Sequence, residues 1–491
     1  MESLISAVLG DLVSRAISVM MEKYHEQTTT EENLKRLHQL LVRIFAVVEE
    51  AEGRGVANRG MTRQVSMMMK QMFRGYYLLD YFKCRKTKTD DEEVSHSLFS
   101  QSKFNPAKRF RRISSNTQNE NVLIGRESNK ELKQVVLDLE MMVVDMKEFA
   151  IFLMSYPRMY RQPYGTYLYL DKYMFGRQIQ REQAINFLLQ AEPLRGADLG
   201  VLPIVGPGLI GKSTLVGHVC EDERVRNHFS LILVYNGNDL KDETSVNFRD
   251  QCVIKHQNIV SGEERSLLII ELSGDVDEGT WKRLLHTSER CMSRGSKIII
   301  TSRSEKMANV GTTKAIKLTC LSKEAYWYFF KTLVFGSTDP EEHPKLTSIA
   351  MELALEMGGS FITANVAATI MRANFNARFW CMVLRYLREN KKKNALVFGE
   401  YPEDHVARYI WSIAETQQGS KDRKLFLIGD KCQRGPAASG EIPMITAVDL
   451  LSGTCTPRGK FEVLSWRSPL PPYYLYTSFC ESVQHESSAT A

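Results

Sequence analysis

The stretch VLPIVGPGLIGKSTLV, residues 201–216, constrains the fold of this chain more than any other feature. A short apolar run breaks into a glycine-rich loop with the spacing G-x-x-x-x-G-K-S, and a second apolar segment follows. Glycines let such a loop turn tightly and point its N–H groups at phosphate oxygens, and the next helix adds its positive dipole end. The stretch therefore predicts a strand, a phosphate-binding loop and a helix.

Short runs rich in valine, isoleucine and leucine recur around this loop, at 201–205, 230–235, 266–272 and 296–302. Continuous apolar runs of this length are typical of strands that are buried on both faces of a parallel sheet. Helical patterns separate the runs, for example at 212–221 and 280–292. We therefore predict a doubly wound α/β domain.

The spacing of apolar residues divides the rest of the chain into predicted domains. Apolar residues at spacings of three and four between Leu34 and Val48, with similar patterns at 4–19 and 61–82, predict a bundle of helices. Polar residues dominate the segment after this bundle, and periodicity fades after 390 while glycine, proline and serine become frequent. The predicted domains are a helical bundle at 1–82, a linker with partial helices at 83–172, a nucleotide-binding α/β domain at 173–318, a helical subdomain at 319–390 and a poorly structured tail at 391–491.

The composition excludes several classes of protein. The chain has 43% hydrophobic residues, lacks a long uncharged apolar run and begins without the features of a signal peptide. Its nine cysteines form no C-x-x-C pair, which favours reduced thiols in a protein that is not secreted. We expect a cytoplasmic location, with the nucleus and the inner face of the plasma membrane left open.

Charge gives little sign of a nucleic-acid partner. The net charge of +6 is small for 491 residues, so no specific nucleic-acid partner is expected. A basic cluster in the linker reads as a solvated loop, with nuclear import or phosphate-backbone contact as the alternative. Its members are Lys108, Arg109, Arg111 and Arg112.

Four side chains complete the predicted phosphate chemistry. Lys212 of the loop is expected to reach the β- and γ-phosphates, and the Ser213 hydroxyl to bind Mg²⁺. Glu271 ends an apolar run, where an acid can serve the metal directly or through water. Arg303 follows another run and can sense the γ-phosphate from the carboxyl end of its strand.

The position after Glu271, where a catalytic acid is expected, is Leu272. Leucine can neither accept a proton nor orient water. Asp275 and Asp277 could substitute only if their loop folds back. The sequence therefore favours nucleotide binding over fast hydrolysis, and we assign no catalytic residue.

These pieces, in this order, resemble the NB-ARC module of plant intracellular immune receptors of the coiled-coil NLR class, which have an Rx-like N-terminal domain. The resemblance covers about residues 1–370 and rests on MFGRQIQREQAINFLL, GPGLIGKSTLV, SLLIIEL with TWKRLL, GSKIIITSRSEKMANVG, CLSKEAYWYFFKTLVFG and LKRLHQLLVRIFAVVEEAEGR. It implies a multidomain α and α/β protein with a STAND-type ATPase fold, closed around ADP and opened by exchange for ATP with Mg²⁺.

The resemblance also implies roles for individual residues. Those that would hold the phosphates are Gly206, Pro207, Gly208, Gly211, Lys212, Ser213 and Thr214. Ser213 and Glu271 would serve the metal, and Arg303 would sense the γ-phosphate. Phe175, Gly176 and Arg177 would line the adenine and ribose side, since their spacing from the loop is the usual one. A similar LIGR stretch at 123–126 lies too far upstream and reads as linker or as a displaced duplicate.

Several positions depart from the family pattern. Two consecutive acids are usual where this chain has Glu271 and Leu272, and Phe361 stands where a proline usually packs on the base. The acidic motif of the N-terminal bundle keeps only Asp80, and neither a Met-His-Asp tripeptide nor leucine-rich repeats occur. The expected function is therefore that of a nucleotide-binding switch, helper or adaptor in plant defence, in a truncated form with weak or no hydrolysis.

Two other functions remain open at this point. One is a P-loop NTPase enzyme of another class, and the other is an interaction scaffold with a relict nucleotide site. The expected partners are NLR-type or other helical proteins, or a second copy, bound through residues 1–82. The motif Pro471-Pro472-Tyr473-Tyr474 also fits a WW-domain ligand, although proline-rich motifs of this length arise often by chance.

Overall fold

The computed structural model has two compact units, Met1–Arg161 and Gln162–Ala491. The residues it describes are 29–51, 54, 56, 58–98, 115–156, 175–190, 199–208, 210–236, 253–257, 265–272, 278–398, 409–414, 423–434, 442–452, 454–455, 457–467 and 475–483. No helix in these ranges is both long and apolar enough to cross a membrane.

The first unit contains three described helices: α1 at 29–51, α2 at Arg59–Leu98 and α3 at Ser115–Met154. The predicted apolar stripe of α1 faces inward, and Leu37, Leu41 and Ile44 are fully buried. A Cβ atom at Gly75 of α2 would lie 2.7 Å from the Leu41 side chain, so α1 and α2 approach closely there. The helical character predicted for this region is confirmed, while the predicted segment at 4–19 lies outside the described residues.

The described parts of the predicted linker, 83–98 and 115–156, are more helical than their composition suggests. Helix α2 continues to Leu98, and α3 packs against α2 along buried residues that include Leu132, Val135 and Leu139. Polar residues on the solvent side of a helix hide such a stripe when overall polarity is used to assign a linker. The LIGR stretch lies within α3, and the basic cluster at 108–112 lies outside the described residues.

The second unit is built on one six-stranded sheet. Its strands are β1 Gly200–Val205, β2 Leu231–Asn236, β3 Val253–Gln257, β4 Ser266–Glu271, β5 Lys297–Ser302 and β6 Ile316–Lys317. The order is β3-β2-β4-β5-β1-β6, and all neighbours are parallel except β3, which pairs antiparallel at the edge. The predicted parallel α/β sheet is confirmed. Strands β3 and β6 were missed because β3 has only two apolar residues, followed by three polar ones, and β6 is only two residues long.

Helices cover both faces of this sheet and explain its continuous apolar runs. They are α4 Gln178–Leu189, α5 Lys212–Glu221, α6 Glu223–His228 and α7 Glu278–Cys291. Leu202 and Ile204 of β1 pack with α4 and α5, whereas Val201 and Val205 pack on the opposite face with Trp281 of α7. Alternate residues of one strand thus enter two cores, and both sets must be apolar.

A helical subdomain follows the sheet, as predicted. Its helices are α8 Lys323–Phe335, α9 Pro344–Glu356, α10 Phe361–Ala373 and α11 Ala377–Phe398. Trp327, Phe330 and Trp380 are fully buried in it.

The C-terminal region differs from the poorly structured tail expected for residues 391–491. It contains strands β7 Tyr409–Ala414, β8 Arg423–Arg434, β9 Lys460–Arg467 and β10 Leu475–Val483, with the short helix α12 Ala447–Ser452. The strands form an antiparallel sheet in the order β7-β8-β10-β9. Leu450, Val463 and Cys480 form its small core. Glycine, proline and serine concentrate between these strands, so average composition concealed them.

Candidate functional site

The phosphate loop connects β1 to α5, as the sequence predicts. The backbone N–H of Gly206 donates to the Ser302 carbonyl at 3.2 Å, and a Cβ atom at Gly206 would lie 2.5 Å from the Leu318 carbonyl oxygen. Gly211 has φ +93° and directly precedes the first residue of α5. Both positions therefore require glycine, one for close backbone approach and the other for left-handed geometry.

Sheet register brings the other predicted groups to the edge where the loop begins. Val205 pairs with Ser302, and Glu271 pairs with Thr301. Glu271 is the last residue of β4, and Arg303 follows the last residue of β5. Because parallel strands end at the same edge, both side chains belong to the carboxyl edge of the sheet beside the loop.

Lys212 lies at the centre of this charge arrangement. Its Nζ donates to the carbonyl oxygens of Gly206 and Pro207, at 2.7 and 2.6 Å, so the ammonium group lies over the loop. Burial and the positive charge of Arg303 lower the pKa of Lys212 from 10.5 to about 8, against the opposing effect of Glu271. The charges of Arg303 and Glu271 thus both act on Lys212, from opposite directions. Ser213 and Thr214 lie in the first turn of α5, half-buried.

The lowered pKa of Lys212 predicts pH-dependent binding of phosphate ligands. An anion near Lys212 favours the ammonium form, so above pH 8 binding must take up a proton, and affinity should fall by up to about tenfold over one pH unit. Calorimetric titration of nucleotide into the full chain between pH 7 and 9.5 measures the affinity at each pH. Repeating it in buffers of different ionisation enthalpy measures the number of protons taken up.

Lys212→Arg is the matched control, because a guanidinium stays charged throughout this range and its affinity should not change with pH. An equal pH dependence in this variant would assign the titration to another group.

The lowered pKa of Lys212 also affects the stability of the fold. Between pH 8 and 10.5 the unfolded chain binds more protons than the native state, so the free energy of unfolding rises with pH.

Leu272, at the position where a second acid is usual, belongs to the hydrophobic core. It is 5% exposed and packs with Ile270 and Trp281, and its N–H donates to the Thr301 carbonyl at 2.9 Å. Its side chain therefore lies on the sheet face covered by α7. The two aspartates considered as substitutes, Asp275 and Asp277, lie outside the described residues.

Residues 175–177 form a turn against the start of the helical subdomain. Gly176 has φ +68°, and Arg177 is 4% exposed and donates through Nη2 to the Thr319 carbonyl. The similar LIGR stretch at 123–126 has a different backbone, because its glycine is helical within α3. Local backbone geometry thus distinguishes two stretches that have similar sequences.

Phe175 belongs to an aromatic cluster with residues of α8 and α10. Its ring stacks on Tyr328 at 5.9 Å and lies 5.6 Å from Phe329, which meets Phe361 edge-on at 5.1 Å. Phe175, Tyr328 and Phe361 are only half-buried. The structure therefore brings together Phe175 and Phe361, two positions that the sequence connected only through the family resemblance.

Curated relatives are found among plant proteins, although no protein-family model matches the chain. Disease resistance protein RGA2 of Solanum bulbocastanum is 23% identical over 368 residues, which are 71% of this chain and 35% of that protein. RGA1 of the same species is 21% identical over 77% of this chain and 38% of its own length. The RPP13-like protein 1 of Arabidopsis thaliana, also named for disease resistance, is 22% identical over 78% and 37%.

Solved structures show a weaker likeness. C. elegans PCH-2 matches 43% of this chain and 69% of its own, with a TM-score of 0.30 and 9% identity. Domain III of the Thermotoga maritima replication initiation protein DnaA matches 48% and 91%, with a TM-score of 0.23 and 14% identity. Scores this low support no conclusion.

The alignments to these three plant proteins are long and cover 71% to 78% of this chain. In each of the three, the chain spans little more than a third of the relative's length. Over most of its own length, the chain is a distant homologue of the plant coiled-coil, nucleotide-binding, leucine-rich-repeat disease resistance proteins.

Proposed function

We propose that the chain binds ADP or ATP with Mg²⁺ and acts as a nucleotide-dependent switch, helper or adaptor in plant defence, with slow or no hydrolysis. One observation carries this proposal. The phosphate loop, Lys212, Glu271 and Arg303 share the carboxyl edge of the sheet, while Leu272 is buried in the core. The defence role rests on the names of the relatives.

The residues at the loop fit a nucleotide with a magnesium ion. The loop N–H groups, the N-terminus of α5 and Lys212 provide positive charge for phosphates. The Ser213 hydroxyl and the Glu271 carboxylate are hard oxygen ligands of the kind that Mg²⁺ prefers. Within the described ranges no three acidic, histidine or cysteine side chains form a metal cage, which suits an ion held mainly by phosphates and one carboxylate.

Bound Mg²⁺ would neutralise phosphate charge, and the chain's own residues would bind and position the phosphates. Lys212 would hold the β- and γ-phosphates, and Arg303 would respond to the terminal one. Leu272 stands where the family has a second acid and faces the core, so this position supplies no group to orient an attacking water. Tight binding with slow turnover follows, which is the behaviour of a switch.

The aromatic cluster supplies the base side of the proposed site. Phe175 and Tyr328 offer half-buried ring faces, and Phe361 takes the place of the family's proline. Gly176 and Arg177 hold the turn that carries Phe175, since Arg177 is tied to the Thr319 carbonyl. A purine ring stacked beside these side chains would bury their remaining apolar surface.

Purified full chain should retain close to one adenine nucleotide per molecule and turn over ATP far more slowly than the roughly 1 to 1,000 s⁻¹ typical of enzymes. Acid release followed by chromatography identifies the nucleotide, and labelled ATP measures turnover. Glu271→Gln tests the metal role, since weaker Mg²⁺-dependent binding of ATP is expected with ADP binding less affected.

Turnover in the enzyme range would instead support a P-loop NTPase of another class. Finding no bound nucleotide in either protein, and no binding when nucleotide is added, would contradict the proposal.

Partners and location are proposals of the same kind. Association of residues 1–82 with a helical protein or a second copy is supported by exposed Val42, Phe45 and Met67 on α1 and α2. The free thiols among the described cysteines support a reducing, cytoplasmic location. The WW-domain motif at 471–474 lies outside the described residues and stays a prediction.

A further inference from the structure

The turn between α9 and α10 contains two successive glycines with few side-chain contacts. Gly358 and Gly359 both adopt left-handed geometry, with φ +62° and +83°. A Cβ atom would meet nothing within 4 Å at Gly358, and at Gly359 only the Cys320 side chain, at 3.9 Å. Glycines in succession allow the chain many conformations, so this turn by itself does not determine where α10 begins.

A buried tyrosine of α8 holds the residue that follows these glycines. The Tyr326 hydroxyl donates to the Ser360 carbonyl oxygen at 2.8 Å, across 34 residues of chain. Tyr326 is 3% exposed, and burial raises the pKa of its hydroxyl, which therefore stays protonated as a donor. Ser360 also caps α10, because its Oγ accepts from the Thr363 N–H at 3.3 Å. The contact from α8 thus fixes the start of α10.

Phe361, the first residue of α10, directly follows the residue that Tyr326 holds. Its ring meets Phe329 edge-on at 5.1 Å, and the Phe329 ring lies 5.6 Å from the ring of Phe175. The Tyr326 ring lies 6.3 Å from the Phe329 ring. The hydrogen bond of Tyr326 is therefore one residue away from the aromatic cluster that forms the base side of the proposed nucleotide site.

We propose that Tyr326 is a positioning residue, whose hydroxyl holds Phe361 in place for contact with the nucleotide base. This inference rests on the proposed nucleotide binding. Tyr326 acts at the base side, through Phe361, whereas Lys212 and the loop hold the phosphates. Loss of the Tyr326 hydroxyl should therefore weaken the binding of a ligand that has a base and leave the binding of a bare diphosphate unchanged.

The test compares ADP with pyrophosphate, which has two phosphates but no base. Each is titrated with Mg²⁺ into the nucleotide-stripped full chain, as wild type and as Tyr326→Phe. Loss of one neutral hydrogen bond predicts about a three- to tenfold fall in affinity for ADP, and the fall for pyrophosphate should stay below about twofold. Thr369→Val is the matched control, since it removes a hydroxyl bond to the Asn365 carbonyl within α10 and should change neither affinity.

A double-mutant cycle with Phe361→Leu tests whether Tyr326 acts through Phe361. In the Phe361→Leu protein, removal of the Tyr326 hydroxyl should change ADP affinity by less than about twofold. Tyr326→Phe is expected to fold, because the Ser360 carbonyl also accepts from the Ala364 N–H at 3.0 Å and is not left unpaired. The melting temperature of the nucleotide-stripped protein checks this.

A measurement on the wild type does not depend on any variant. ADP should slow amide hydrogen exchange in residues 361–365 more than pyrophosphate does, because its base contacts Phe361. Equal exchange, no loss of ADP affinity in Tyr326→Phe, an equal loss for pyrophosphate, or losses that add in the double variant would each overturn the positioning role while nucleotide binding stands. If the wild type binds neither ligand, the proposed function itself fails and this inference with it.

Discussion

Lys212→Ala is expected to reduce adenine-nucleotide affinity by about 10²-fold, so that the purified chain loses its nucleotide. The ammonium group lies over the loop, 2.7 Å from the Gly206 carbonyl oxygen. Alanine removes a charge-assisted contact to phosphate and leaves two loop carbonyls without this donor. Released nucleotide, quantified by chromatography after identical purification, measures the effect.

Lys282→Ala, at an exposed position in α7, is the matched control and should retain wild-type nucleotide content. The melting temperature of nucleotide-stripped protein shows whether Lys212→Ala remains folded. Undiminished nucleotide content in a folded Lys212→Ala protein would contradict the proposed site. Loss of nucleotide with full retention of defence activity would instead favour an interaction scaffold with a relict loop.

Trp380→Ala is expected to lower the free energy of unfolding of the helical subdomain by about 3–5 kcal/mol, the range for large-to-small changes in a core. The Trp380 side chain is fully buried, and its Nε1 donates to the carbonyls of Met371 and Asn374, both at 3.0 Å. Its ring also lies edge-on to Phe335 and Phe375, at 5.7 and 5.2 Å. Urea unfolding followed by circular dichroism measures the change.

Two variants separate the causes of this loss. Trp380→Phe keeps most of the ring packing but removes the donor, so a smaller loss of about 1–3 kcal/mol is expected. Cys381→Ala, at the next and exposed position, should change stability by no more than about 0.5 kcal/mol. A Trp380→Ala protein as stable as wild type would mean that the Trp380 ring is not packed against Phe335 and Phe375 as described.

The fold was predictable where one short segment carries its own signal. The four strands β1, β2, β4 and β5 are nearly continuous apolar runs, and each was predicted to within about two residues at its ends. Helix α5 was predicted with its observed bounds because the loop before it has a fixed spacing. The C-terminal strands were not predicted, since glycine, proline and serine are frequent in the segments that separate them.

Part of the site was also predictable, because its residues lie in one short segment of the sequence. The phosphate loop was recognised because its glycines and Lys212 lie within one short stretch. The sequence shows that Leu272 stands where an acid is expected. Only the structure explains this residue, as part of the core beneath α7.

By itself, the sequence determined the chemistry of the loop, the alternation of buried strands and helices, and the likeness to plant disease resistance proteins. These properties depend on backbone preferences and on spacing between near neighbours in the chain. Only the tertiary structure decided that Glu271 and Arg303 end beside the loop and that Leu272 turns into the core. Those placements depend on strand order and on packing between distant segments, which no short pattern of residues encodes.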